Sequence, residues 1–158
     1  MTTQEKIRTV LETAIAFEIE AQHLFQKMSE SAGDPGTKQT LNGLYRDEVR
    51  HEKLIRDLYA KELGEEAGAV LRPTGRGLAR PAEGIGAREA LQLALEKEAN
   101  ARAYYGQAAK DADEPKVRDL LLFLEKEEDG HYTLIDQELK ARAGQPWEPI
   151  ELDSWVRE

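Results

Sequence analysis

The chain has 158 residues, of which 34% are charged and 40% hydrophobic, with a formal net charge of −9 and no cysteine. That length suits one domain with its own core, and the absence of cysteine excludes disulfides, thiolate metal sites and iron–sulfur clusters. The acidic surplus repels polyanions, so neither nucleic acid nor an anionic membrane is expected as a partner.

Residues Thr3 to Ser31 place Ile7, Val10, Leu11, Ala14, Ile15, Ala21, Phe25 and Met28 three and four apart, which predicts a first helix. Gly33, Asp34, Pro35 and Gly36 break it, because proline cannot continue a helix but suits the first turn of the next. A second helix is predicted to Leu63 on the stripe Leu41, Leu44, Tyr45, Ile55, Leu58 and Tyr59, with Gly64 as its cap. A short connection makes these two helices antiparallel neighbours.

From residue 64 to 86 glycine, proline and arginine dominate without a period, which predicts a crossover loop, with a short helical piece as an option. A third helix from Ala87 to Ala112 carries Leu91, Ala94, Leu95, Ala101, Tyr105 and Ala108. A fourth from Glu114 to Ala143 carries Val117, Leu121, Leu124, Leu134, Ile135 and Leu139. The fold expected is all-α, an antiparallel four-helix bundle over residues 1–143 with a long crossover between helices two and three. The tail, 144–158, contains Trp147 and Trp155 and is expected to dock on the bundle or on a partner. No basic N-terminal stretch leads into an apolar run, and nowhere do about 18 apolar residues occur in succession. A cytoplasmic protein with neither signal peptide nor membrane span is therefore expected.

Sliding the chain by 80 residues superposes its two halves without a gap: Ala14 falls on Ala94, Ala21 on Ala101, Phe25 on Tyr105, Leu41 on Leu121 and Ile55 on Ile135. In that register Glu18 falls on Glu98, Glu48 on Glu128 and His51 on His131, whereas the third histidine, His23, falls on Ala103 and receives no role. Two hairpins related by a pseudo-twofold axis would present one ligand set from opposite sides of a common core.

All six repeated residues lie on the apolar stripes and so point inward. Residues three apart on a helix are neighbours, so each Glu-x-x-His offers an oxygen and a nitrogen to one ion. Four buried, unpaired carboxylates are more than a domain stable by about 5 to 15 kcal/mol can bear. Two divalent cations cancel the four charges and leave both imidazoles neutral. The oxygen-rich set suits iron, with Mn(II) or Zn(II) as substitutes. Glu20, Glu96, Glu125 and Glu127 read as a solvated face. Tyr45 and Tyr105 read as core residues, with hydrogen bonding to the ligands or a radical role as the alternative.

At the segments AIAFEIEA, EVRH, ALEKEANA and EDGH the chain resembles the rubrerythrin group of the ferritin-like superfamily, over about residues 5 to 140. The resemblance implies two irons bridged by Glu48 and Glu128, with Glu18 and Glu98 terminal, reacting with hydrogen peroxide or dioxygen. It also implies an oxidoreductase role in oxidative-stress defence, as peroxidase or ferroxidase. A homodimer is the assembly expected. Two features depart from the group. Its full-length members carry a cysteine-ligated rubredoxin domain, so electrons here must come from a separate donor such as a rubredoxin or flavoprotein. Its members also place a glutamate, active in redox-linked iron movement, where this chain has Ala101. Iron storage or delivery, or oxidation of an organic substrate, are the alternative functions.

Overall fold

The computed structural model describes residues 1–68 and 86–142. Four helices follow one another, α1 (Thr3–Ser31), α2 (Pro35–Leu63), α3 (Ala87–Asp111) and α4 (Pro115–Arg142), and form an all-α four-helix bundle. Each end has a local cause. Thr2 caps α1 with a reciprocal pair, its hydroxyl accepting from the Glu5 amide while the Glu5 carboxylate accepts from the Thr2 amide. Asp34 accepts from the Thr37 amide ahead of Pro35. Gly64 closes α2 at φ +72°, a conformation that favours glycine. Helix α4 begins one residue later than the sequence suggests, because the Glu114 carbonyl already accepts from the Arg118 amide.

Contacts across the bundle fix the directions of the helices. Tyr105 reaches Glu18 while Lys97 reaches Glu20, so α1 and α3 run antiparallel. His51 meets Glu127 while His131 meets Asp47, so α2 and α4 do too. Because α1 and α2 form an antiparallel hairpin, α2 and α3 run the same way. The link between Leu63 and Ala87 therefore has to return the length of a helix, about 43 Å for 29 residues. Its first residues double back on α2: Arg56 donates to the carbonyls of Ala67 and Gly68. The crossover expected over 69–85 and the tail with Trp147 and Trp155 lie outside the described residues. No helix among the described residues is long and apolar enough to cross a membrane.

Two apolar clusters fill the bundle. One joins Leu24, Phe25, Met28, Leu41, Leu44, Leu91 and Ile135, and the other joins Leu11, Ile15, Ile55, Tyr105, Leu121 and Leu124. Between them lies a band of buried polar residues: Glu18, Glu48, His51, Glu98, Glu128 and His131. Leu134, expected on the core stripe of α4, is instead 44% exposed. It stands on the outer α2–α4 face, one position round the helix from the buried Ile135.

Candidate metal centre

The helical period delivers the six residues. In α2 the buried positions run Leu41, Leu44, Glu48, His51, Ile55 and Tyr59, every step three or four residues, so the acid and the imidazole take places that leucine would otherwise fill. The 80-residue register repeats this in α4 with Val117, Leu121, Leu124, Glu128, His131 and Ile135. Helices α1 and α3 contribute Glu18 and Glu98 between buried alanines.

The six side chains form two overlapping groups. Glu18, Glu48, His51 and Glu128 make one, and Glu48, Glu98, Glu128 and His131 the other, each with one atom per residue lying within 4.8 Å of the rest. Glu48 and Glu128 belong to both. The Nδ1 atom of His51 is 3.6 Å from Glu18, 3.5 Å from Glu48 and 3.4 Å from Glu128. The Nδ1 atom of His131 is 2.8 Å from Glu48, 3.7 Å from Glu98 and 3.5 Å from Glu128. Ligand atoms about 2.1 Å from a tetrahedral ion stand about 3.4 Å apart, so most of these separations suit an ion in each group. Glu18 Oε2, Glu48 Oε1, Glu98 Oε2, both Glu128 oxygens and both Nδ1 atoms are buried without a hydrogen-bond partner. Such atoms are costly unless something positive meets them, and the residues present fit a pair of divalent cations.

The outer nitrogen of each imidazole is held by the opposite hairpin. His51 Nε2 lies 3.2 Å from Glu127, and His131 Nε2 lies 3.1 Å from Asp47. A carboxylate there favours the proton on Nε2 and leaves Nδ1 as the lone-pair atom facing inward. The two rings stack at 5.7 Å and 17°. Glu127 is therefore not simply part of a solvated face. Asp47 and Glu127 occupy equivalent places in the repeat, immediately before each Glu-x-x-His, and extending the 80-residue comparison by one position finds them.

Of the two tyrosines, Tyr105 is fully buried and its hydroxyl donates to Glu18 Oε1 at 2.9 Å. Tyr45 is half-buried and packs against the apolar cluster around Leu41 and Leu44. The counterpart of Tyr105 in the first half is Phe25, which has no hydroxyl, so the pseudo-symmetry breaks at this hydrogen bond. Glu20 corrects the sequence reading: it is buried, and its carboxylate accepts from Lys97 at 2.5 Å. His23 belongs to neither group.

For the chain alone, protons hold the places that cations would take. Burial opposes charge on His51, but the close carboxylates of Glu128, Glu18 and Glu48 outweigh it and push the imidazole up to about 12. Burial is likewise outweighed at His131, which Glu128 and Glu48 push up to about 11. Burial, then the charges of Glu48 and Glu128, raise Glu18 well above the usual carboxylate range. At Glu48 burial works upward, but the close approach of Glu18, His131 and His51 wins and brings it down to about 2. Burial, followed by the Glu18 charge, raises the Tyr105 phenol and keeps it a donor.

A four-helix bundle with a mid-core band of four glutamates and two histidines, able to hold two ions, defines a ferritin-like protein of the di-metal carboxylate type. The rubrerythrin family model matches residues 9–139, and the chain belongs to the rubrerythrin family. Solved structures agree on the fold. A ferritin-like and DJ-1/ThiJ/PfpI-like two-domain protein from Anabaena variabilis is 17% identical with a TM-score of 0.77, matching 95% of this chain and 43% of its own. A conserved hypothetical protein from Mycobacterium tuberculosis is 16% identical with a TM-score of 0.72, covering 89% of this chain and 94% of its own. A hypothetical protein from Pyrococcus furiosus is 23% identical with a TM-score of 0.66, covering 85% and 88%. Comparison with curated proteins finds no match.

Proposed function

We propose that the chain is a di-iron protein of rubrerythrin type that reduces hydrogen peroxide or dioxygen, with Glu18, Glu48, His51, Glu98, Glu128 and His131 as the iron ligands. The observation that carries this reading is the pair of four-residue groups sharing Glu48 and Glu128. Two shared carboxylates would let the groups hold a pair of ions, which a mononuclear site does not require. When bound, a ferrous pair supplies two electrons, which with two protons convert one hydrogen peroxide into two waters and leave both ions ferric.

The chain's own residues do the rest. Asp47 and Glu127 fix the imidazole tautomers, so that both Nδ1 atoms stay available. Tyr105 orients Glu18 by donating to Oε1, leaving the buried Oε2 free to serve as a ligand atom. The apolar clusters on either side keep bulk water away and strengthen every charge interaction in the band. Re-reduction is assigned in this reading to a donor such as a rubredoxin or flavoprotein.

The test is stopped-flow absorbance after mixing ferrous-loaded protein with peroxide. Ferric absorption should grow with a rate that rises with peroxide concentration. A ferrous form that stays unoxidised over minutes with iron demonstrably bound would sink the proposal.

A further inference from the structure

A cavity of about 60 Å³ lies between α1 and α3 and reaches Glu18, Glu48, Glu98 and Glu128. Its lining grades inward from solvent. Asn100 is exposed, Phe17 and Lys97 are half-buried, Glu20, Ala21 and Ala101 are nearly buried, and the four glutamates are 1–2% exposed. The oxygens Glu18 Oε2, Glu48 Oε1, Glu98 Oε2 and those of Glu128 are buried at its floor without hydrogen-bond partners. Across its outer part runs the Lys97–Glu20 ion pair at 2.5 Å, with side chains 12% and 6% exposed.

Among the described residues, the α2–α4 side and the two ends of the band are filled. Stacked imidazoles backed by Asp47 and Glu127 close the α2–α4 side. A larger cleft there, about 410 Å³, reaches Asp47 but none of the six inward residues. The apolar clusters block both ends of the band. The α1–α3 cavity holds only small guests, since one water needs about 10–15 Å³ of such space and drug-sized ligands need at least about 300 Å³. With two divalent cations cancelling the four carboxylates, the floor carries no net charge to draw an anion out of water. Ala101 matters here because any longer side chain on that face would fill the cavity.

We propose that this cavity is the route by which a neutral oxidant of two heavy atoms reaches the metal pair, and that the Lys97–Glu20 ion pair is its gate. The proposal rests on the di-iron reading above. Lysine suits a gate because its four-carbon stem can swing the ammonium outward without moving α3. The ion pair is absent from the repeat: Lys97 matches Phe17, and Glu20 matches Asn100. All four nevertheless line this one mouth, which is therefore asymmetric although the ligand set is symmetric.

The probe is nitric oxide, a neutral diatomic that binds ferrous ions, mixed anaerobically with ferrous-loaded protein and followed by stopped-flow absorbance. Lys97→Ala should accelerate nitric oxide binding severalfold. Ala101→Leu should slow it by roughly tenfold or more, equivalent to about 1.4 kcal/mol of added barrier. Both variants should retain two irons per chain by metal analysis. If Ala101→Leu does not fold, Ala21→Leu fills the cavity from the α1 side. Unchanged nitric oxide rates in iron-replete Lys97→Ala and either leucine variant would overturn the route while leaving the proposed function intact. Altered nitric oxide rates in a protein inert to peroxide would sink the function and leave the route standing.

Discussion

Raising the pH should weaken the metal-free protein and strengthen the metal-loaded one. Folding lifts the imidazoles from 6.5 to about 12 at His51 and about 11 at His131. A raised folded value contributes stability in full below 6.5 and loses it as pH climbs through the folded value. Glu18, raised above 4.5, loses stability in the same direction, whereas the lowered Glu48 loses its contribution only as pH falls from 4.5 toward 2. Between pH 7 and 8 each imidazole should cost about 1 kcal/mol, or roughly 2 kcal/mol for the two. That is a large share of a total near 5 to 15 kcal/mol. With Mn(II) bound, the imidazoles are neutral ligands and proton competition falls with rising pH, so stability should hold or increase. Urea unfolding at pH 7 and 8 with chelator, then with excess Mn(II), reads both slopes. Metal-free stability that is flat or higher at pH 8 would refute the electrostatic account, as would a metal-loaded form that falls in parallel.

Asp47→Asn and Glu127→Gln should each weaken metal affinity by about 10- to 100-fold through loss of imidazole orientation, measured by chelator competition with Co(II). Tyr105→Phe removes the donor to Glu18 and should cost about 1 kcal/mol of metal-free stability, read by urea unfolding, while metal stoichiometry stays at two. Gly130→Ala should stabilise α4 by about 1 kcal/mol, because an added Cβ meets nothing within 4 Å; thermal unfolding checks it.

Helix boundaries were legible within a residue or so because breakers such as Gly33–Pro35 and Gly64 sit at the ends of three-and-four apolar stripes. The inward six were legible because the 80-residue register repeats them against an apolar background. The same register contains Asp47 and Glu127, but an acid one step off the stripe resembles a solvated residue until the opposite hairpin brings a histidine to it. Glu20 was misread for a related reason. Its burial depends on Lys97, 77 positions away in the chain, and no local pattern announces a partner on another helix. Leu134 failed in the opposite sense: periodicity places it beside the stripe, but the outer α2–α4 face leaves it uncovered. The tyrosines show where pattern stops. Both lie on ligand-bearing stripes, and only the packing of α3 on α1 separates Tyr105, bonded to Glu18, from Tyr45, packed in the core.

The most direct measurement is an anaerobic Fe(II) titration of metal-free protein, followed by desalting and metal analysis of the native chain and of a Glu48→Ala, Glu128→Ala double variant. The account predicts two irons per chain in the first and their loss in the second, since both groups depend on those carboxylates. A native chain that retains no iron, or a folded double variant that binds two irons as tightly as the native chain, would contradict it.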